Sequence, residues 1–205
     1  MATRQQQAPV ADVAEVGAVE EPGRPLRADA RRNYERLVTA ARQVFADHGV
    51  DASMEAIARQ AGVGIGTLYR HFPNRIDVVE AVYRTDVDEL VTAAETLVAE
   101  SDPWSAVVGW LDAFVRYAQA KRTLLSELHE AFEKNPQLRS ASRDRIEGAL
   151  RIVLDGAQRA GVVRTDVDES DLMQLLGSLC MSATLTPEQA ERLLVMIEDG
   201  LRPPR

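Results

Sequence analysis

From Ala30 onward the apolar residues of this chain recur at intervals of three and four, and almost nowhere at intervals of two. No other feature constrains the fold as strongly, because such stripes are buried when helices lie against one another. Breaks in the pattern separate the helices. Leu37, Ala40, Ala41, Val44 and Phe45 mark one face of a first helix that stops at His48-Gly49. Ser53 suits the N-cap of a short helix from Met54 to Ala61, with Glu55 well placed near its positive end, and Gly62 breaks it. Ile65, Leu68, Tyr69 and Phe72 then repeat at helical spacing until Pro73-Asn74, where Asn74 can cap a long helix running to about Ala99. A further helix begins at Ser101-Asp102-Pro103, where proline sits well in a first turn, and carries Trp104, Val107, Val108, Leu111, Phe114 and Val115. Others are expected over 124–134, 136–160, 169–183 and 187–201, with Gly161 and Thr186-Pro187 as stop and start signals. Val162-Val163 is too short for a strand. The expected class is all-α.

Length and composition narrow the function. A chain of 205 residues can bury a proper core. Its apolar runs fall short of the ~20 residues that a membrane span needs, and the N-terminus lacks the pattern of a secretory signal. Cys180 is the only cysteine, which leaves no intrachain disulfide and no multi-thiolate metal site. The expectation is a cytoplasmic protein with no membrane partner and no cofactor. A net charge of −8 argues at first against a nucleic-acid partner, but its distribution reverses that. Residues 22–76 carry nine arginines against five acids, whereas residues 77–205 carry fourteen basic residues against twenty-three acids. A basic module on an acidic body suits phosphate contact through one end.

Residues 1–28 lack periodicity and read as a disordered arm ending in the turn-prone Pro22-Gly23-Arg24-Pro25. Residues 29–76 form the basic module, and residues 77–205 a second helical domain. Within the module, Ser53 to Arg75 has helix-turn-helix spacing. Ala58 is small enough for close helix crossing, Gly62 four residues later supplies a left-handed turn, and Leu68 points back toward Ile57 and Val63. Two short helices at a fixed angle let the second lie in a major groove.

The run Gly62-Val63-Gly64-Ile65-Gly66-Thr67-Leu68-Tyr69-Arg70-His71-Phe72-Pro73-Asn74-Arg75 resembles the signature of the TetR family of helix-turn-helix regulators, and the resemblance covers about residues 30–80. It implies a three-helix DNA-binding domain and a C-terminal helical domain for ligand binding and dimerisation. It further implies a repressor that binds an inverted-repeat DNA operator as a homodimer and is released by a small-molecule effector. Tyr69, Thr67 and His71 match positions that touch DNA in the family, with packing or local capping as the alternative. Arg75 replaces the commoner lysine and keeps a charge for phosphate. Ser53 caps its helix and, with the first amides, can face a phosphate. Arg70 suits a guanine edge or a phosphate. Gly64, Ile65 and Gly66 complete the expected DNA face, although Gly64 and Ile65 stand where polar residues are common. Bare backbone and one apolar side chain leave part of the specificity to DNA shape. Arg24, Arg27, Arg31 and Arg32 are expected either to reach the minor groove or simply to solubilise the arm.

The last two helices carry Leu172, Leu175, Leu176 and Leu179, and Leu193, Leu194, Ile197 and Leu201. The resemblance implies that residues 169–201 make a four-helix dimer interface, against an ordinary intramolecular core as the alternative. Cys180 falls there, either as a small buried hydrophobe or as a redox-sensitive thiol. Trp104, Trp110, Phe114, Tyr117 and Phe132, with His129 and the methionines, are candidates to line an effector pocket, against plain core as the alternative, with Asp112, Glu127 and Glu130 as carboxylates for a cationic effector or simply exposed charges. An enzyme reading lacks support, since there is no glycine-rich phosphate loop, no metal-binding histidine pair and no nucleophile with an evident base.

Overall fold

A computed structural model describes residues 23–180 and 185–204. Among these residues there are nine α-helices, one 3-10 turn and no strand. The helices are α1 (Gly23–His48), α2 (Met54–Ala61), α3 (Ile65–His71), α4 (Arg75–Glu100), α5 (Pro103–Arg122), α6 (Leu125–Lys134), α7 (Pro136–Arg159), α8 (Glu169–Cys180) and α9 (Pro187–Leu201), with the 3-10 turn at Gly49–Asp51.

The first helix starts earlier than its periodicity suggests. Gly23 to Ala28, assigned from the sequence to the arm, are helical. Pro25 does not oppose this, because the amides of a first helical turn have no intrahelical acceptor to lose. Arg31 and Arg32 therefore sit on a helix, paired with Glu35 and Asp29 respectively. The rest of the arm, residues 1–22, lies outside the described residues.

Three glycines set the chain reversals. Gly49, Gly62 and Gly161 adopt positive φ (54°, 64° and 71°), where a side chain would be strained. At Gly161 the amides of Gly161 and Val162 reach back to the carbonyls of Gln158 and Ala157, closing α7. Val163 is then buried and the Arg164 amide bonds the Leu201 carbonyl at 3.0 Å, tying this link to the end of α9.

The N-terminal module packs α1 against α2 and α4, with Leu37, Ala41, Val44 and Phe45 meeting Ile57, Leu68 and Phe72 in one buried cluster. The central helix is α4, which packs on α1, α5, α6 and α7. Its first half buries Ile76, Val78, Val79, Ala81, Val82 and Tyr83. A helix apolar on most sides is one covered from most sides, so one rigid rod links the module to the C-terminal bundle. Asn74 stands at its N-cap, and the Asp77 carboxylate accepts from the Asn74 backbone amide at 2.9 Å.

Candidate nucleic-acid interface

The helix-turn-helix is built from local chemistry. The Ser53 hydroxyl accepts from the Ala56 amide at 3.1 Å and starts α2. Gly62 ends it in the left-handed region, its amide reaching the Arg59 carbonyl and that of Val63 the Ala58 carbonyl. Gly64 caps α3, whose first bonds run from Thr67 and Leu68 to the Gly64 carbonyl. Leu68 is fully buried and Phe72 nearly so. They hold α3 on the core and fix which side faces out.

That outward side carries the expected residues. Tyr69 is 45% exposed and Ile65 40%, and Arg70 is exposed beside them. Gly64 and Gly66 are exposed, and an added Cβ at either would meet nothing within 4 Å. Packing does not require glycine there, and the bare backbone leaves room for close approach. Thr67 and His71 are half-buried at the edges of this face. The His71 ring lies edge-on to Tyr34 of α1 at 6.2 Å, and Tyr34 also packs on Phe72 at 5.2 Å. Tyr34 lies one turn before Leu37 on the same face of α1, but periodicity alone does not show that this end of the stripe meets the end of α3.

Arg75 departs from expectation. Its guanidinium turns inward and donates to the carbonyls of Ala52 and Gly49, lies 3.1 Å from Glu127 of α6, and stacks 5.0 Å from the Phe45 ring centroid. The Ala52 carbonyl just past the 3-10 turn and the second lone pair of the Gly49 carbonyl, which already accepts from the Ala52 amide, offer directed acceptors, so the long side chain folds back over them. Without DNA, Arg75 thus ties the module to the C-terminal domain. A second tie lies beside it, where Lys134 at the end of α6 meets Asp77 at 2.8 Å. Glu127 is thus occupied by Arg75 and is not poised for a cationic effector.

A third link joins α1 to α4. Arg42 bonds both carboxylate oxygens of Glu89 at 2.5 and 2.8 Å, and its Nε lies 2.8 Å from Asp86. That contact is out of line for a hydrogen bond, so the buried Asp86 oxygen has a nearby charge but no directed donor. Burial raises the Asp86 carboxyl to about 6 against the pull of Arg42.

The candidates for an effector pocket do not all converge. His129 is 76% exposed on the outer face of α6 and pairs with Glu133. Leu128 and Ala131 are the residues α6 buries, and the position after Leu128 lies a quarter-turn away from them. Trp104, in the first turn of α5, is covered by the Arg202 guanidinium at 3.4 Å. Trp110, Phe114 and Tyr117 do form a row along α5, with ring centroids 5.6 and 5.8 Å apart. The row continues to Tyr83 of α4 at 6.4 Å and Phe132 of α6 at 5.3 Å from Tyr83. Trp110 is fully buried and its indole N–H has no acceptor. The expected dimer residues divide. Leu172, Leu176, Leu194, Ile197 and Leu201 are buried within the protomer, whereas Leu175, Val195 and Met196 are exposed. The Cys180 side chain lies outside the described residues. Among the described residues no helix is long and apolar enough to cross a membrane, and no His, Cys, Asp and Glu group is arranged to hold a metal ion.

Comparison with known proteins agrees with this geometry. The family described as "Bacterial regulatory proteins, tetR family" matches residues 37–82, and "Transcriptional regulator SbtR-like, C-terminal domain" matches residues 102–203. An HTH-type transcriptional regulator of Staphylococcus aureus (strain USA300) is 40% identical over 68 residues, which is 33% of this chain and 37% of that protein. The chain therefore matches only about a third of the length of such curated relatives. Solved structures match nearly end to end. A TetR transcriptional regulator from Streptomyces coelicolor is 38% identical with a TM-score of 0.74, covering 84% of this chain and 99% of that one. A TetR transcription regulatory protein from Mycobacterium vanbaalenii is 36% identical with a TM-score of 0.68, covering 87% and 99%. These relatives are transcriptional regulators and not enzymes. With its outward-facing α3 and this likeness over nearly whole chains, the protein belongs to the TetR family of DNA-binding transcriptional regulators.

Proposed function

We propose that this regulator is a repressor that binds an inverted-repeat operator as a homodimer and leaves it when a small-molecule effector occupies the C-terminal domain. The observation that carries the reading is α3 itself, with Leu68 and Phe72 sealed beneath while Ile65, Tyr69 and Arg70 stand free above. Tyr69 offers a ring and a hydroxyl to a groove edge and a phosphate, and Arg70 a fork that matches guanine. Two such helices related by a two-fold axis would sit roughly 34–36 Å apart, a turn of DNA, or at a related spacing in successive grooves.

The effector step is supported by the ties at the start of α4. Arg75–Glu127 and Asp77–Lys134 join α6 to the helix that begins beside α3. A shift of α6 would pull on α4 and alter the separation of the two recognition helices. An effector lowers operator affinity only by as much as it prefers the shifted state.

A gel shift with DNA flanking the gene, across a salt series, tests the reading. Retardation should favour an inverted repeat and weaken steeply with salt. Tyr69→Ala should weaken it at all sequences, and Arg70→Ala should cost about 1–3 kcal/mol and relax the preference at one base pair. Equal affinity for unrelated DNA would refute an operator, and undiminished binding by Tyr69→Ala would remove α3 from the interface.

A further inference from the structure

Thr67 and His71 stand one turn apart on one flank of α3, both half-buried, and at its His71 end this flank is bordered by α1. The Tyr34 ring lies 5.2 Å from the ring of Phe72, which is buried, and meets the His71 ring edge-on at 6.2 Å. Leu37, Val38 and Ala41 hold that stretch of α1 in the core, so Tyr34 backs the imidazole from a fixed support. The polar atoms of the two rings are left over. Among the described residues neither the Tyr34 hydroxyl nor the His71 imidazole has a hydrogen-bond partner, and Tyr34 is 39% exposed. Phenylalanine would pack on Phe72 and His71 equally well, so the hydroxyl is spare capacity for an acceptor outside the chain. One turn earlier on α1 stands Arg31, its side chain 82% exposed and paired only with Glu35 at 2.9 Å. Such a surface pair is weak enough to yield to a stronger anion. A spare hydroxyl, a spare imidazole and an exposed guanidinium thus border one edge of α3.

We infer that Tyr34 is a further DNA-contacting residue. Its hydroxyl donates to a backbone phosphate at the His71 edge of α3, and its ring fixes the imidazole that meets the same strand. The hydroxyl is neutral, so its contact adds affinity without releasing a counterion. This role rests on α3 being the element that enters the duplex, as proposed above.

Fluorescence anisotropy of the full chain on a labelled duplex of the DNA flanking the gene tests the contact, across a salt series and beside thermal melts. Tyr34→Phe keeps the ring and should melt like the unaltered chain. Its affinity should fall about 10-fold, as for a hydrogen bond to a charged group, with the slope of log affinity against log salt unaltered. Loss of a cationic contact would instead reduce that slope by about one. Tyr34→Leu removes the ring as well and should weaken binding roughly threefold further. In a His71→Ala background that extra loss should vanish, because the ring then has no imidazole to hold. Undiminished affinity in Tyr34→Phe would overturn the contact. An extra loss in Tyr34→Leu that is as large without His71 would overturn the positioning and reduce the ring to packing. Tyr69→Ala on the same duplex separates the two readings. If it binds undiminished, α3 lies away from the DNA and the Tyr34 contact falls with it. If it is weakened while Tyr34→Phe is not, the Tyr34 contact alone falls.

Discussion

A guanidinium held by two carbonyls, a carboxylate and an aromatic face has exchanged water for directed partners, so the loss of any partner leaves charge or lone pairs to be resolvated. Arg75 is in that position. Burial pushes the Glu127 carboxyl up, and hydrogen bonds from Ser126 and Arg75 outweigh it, leaving it below its ordinary value. The pair's stabilisation is thus present near neutral pH and lost as acidification protonates Glu127. Arg75→Ala should destabilise the chain more than Glu127→Ala, because the Ala52 carbonyl loses its guanidinium donor as well. Denaturant melts of both single variants and the double variant should show a coupling of about 1 kcal/mol, and additive effects would break the tie. Asp86 carries the opposite sign. Its folded value, about 6, lies above the ~3.9 of a free carboxyl. Between those values folding takes up a proton, so stability falls as pH rises through the window and stays reduced above it. Asp86→Asn should therefore raise the melting temperature at pH 7.5, by on the order of 2–3 kcal/mol of stability, and flatten the profile between pH 4 and 6. Arg42 keeps Glu89 in that variant. A lower melting temperature would mean that the Arg42 contact outweighs burial. The charge of Arg75 was legible from residue type alone, but its direction was not. Whether a long side chain at a helix start reaches outward or folds back depends on carbonyls 23 and 26 positions earlier in the chain and on a carboxylate on another helix.

Helix boundaries were the most legible feature, because each rests on a few adjacent residues. Ser53, Gly62, Asn74, Asp102-Pro103, Gly161 and Thr186-Pro187 all act as caps or stops where their chemistry suggests. What lies between helices was less legible. The periodicity of α5 shows that Trp110, Phe114 and Tyr117 share a face, but it cannot say that Tyr83 and Phe132 arrive from α4 and α6 to complete a cage around Lys121. His129 went wrong for the same reason, since a single histidine on a helix does not reveal which side packs. In α3 the two demands on a residue can be separated. Gly66 is inside a helix, where glycine costs about 0.5–1 kcal/mol relative to alanine, and an added Cβ would meet nothing. Gly66→Ala should accordingly raise the melting temperature while lowering operator affinity, because the methyl stands on the face presented to DNA. Gly62→Ala should lower both, since its φ of 64° is left-handed and costs roughly 1–2 kcal/mol for a residue with a side chain. Thermal melts beside anisotropy titrations on duplex DNA would read both quantities. Unchanged affinity in Gly66→Ala would show that the backbone of α3 does not approach the duplex closely.

At the scale of the whole molecule, α8 and α9 present more apolar surface than a solitary protomer hides. Met196 is 67% exposed, Val195 53% and Leu175 50%, and a cleft of about 350 Å³ runs between the two helices, lined by Leu175, Leu179, Leu193 and Met196 among others. A patch of this kind is covered most economically by a second copy, because a two-fold axis brings the same residues against themselves. The symmetry makes the face testable by charge. In the homodimer proposed above, a lysine in place of Met196 would stand in both copies of the covered face and be desolvated there. Met196→Lys with Leu175→Lys should therefore give a monomer by sedimentation velocity. The helical content should be unchanged, since both positions point away from the protomer's own core. Binding should suffer in a characteristic way. Each monomer still carries an intact α3, so a half-site should be retained at high concentration. The advantage of tethering two modules on one inverted repeat disappears, and the dependence of log affinity on log salt should fall to about half, because one module neutralises about half the phosphates. A variant that stays dimeric would place the interface elsewhere. A monomer that binds the full inverted repeat as tightly as the unaltered chain would show that α3 reaches its operator without a partner.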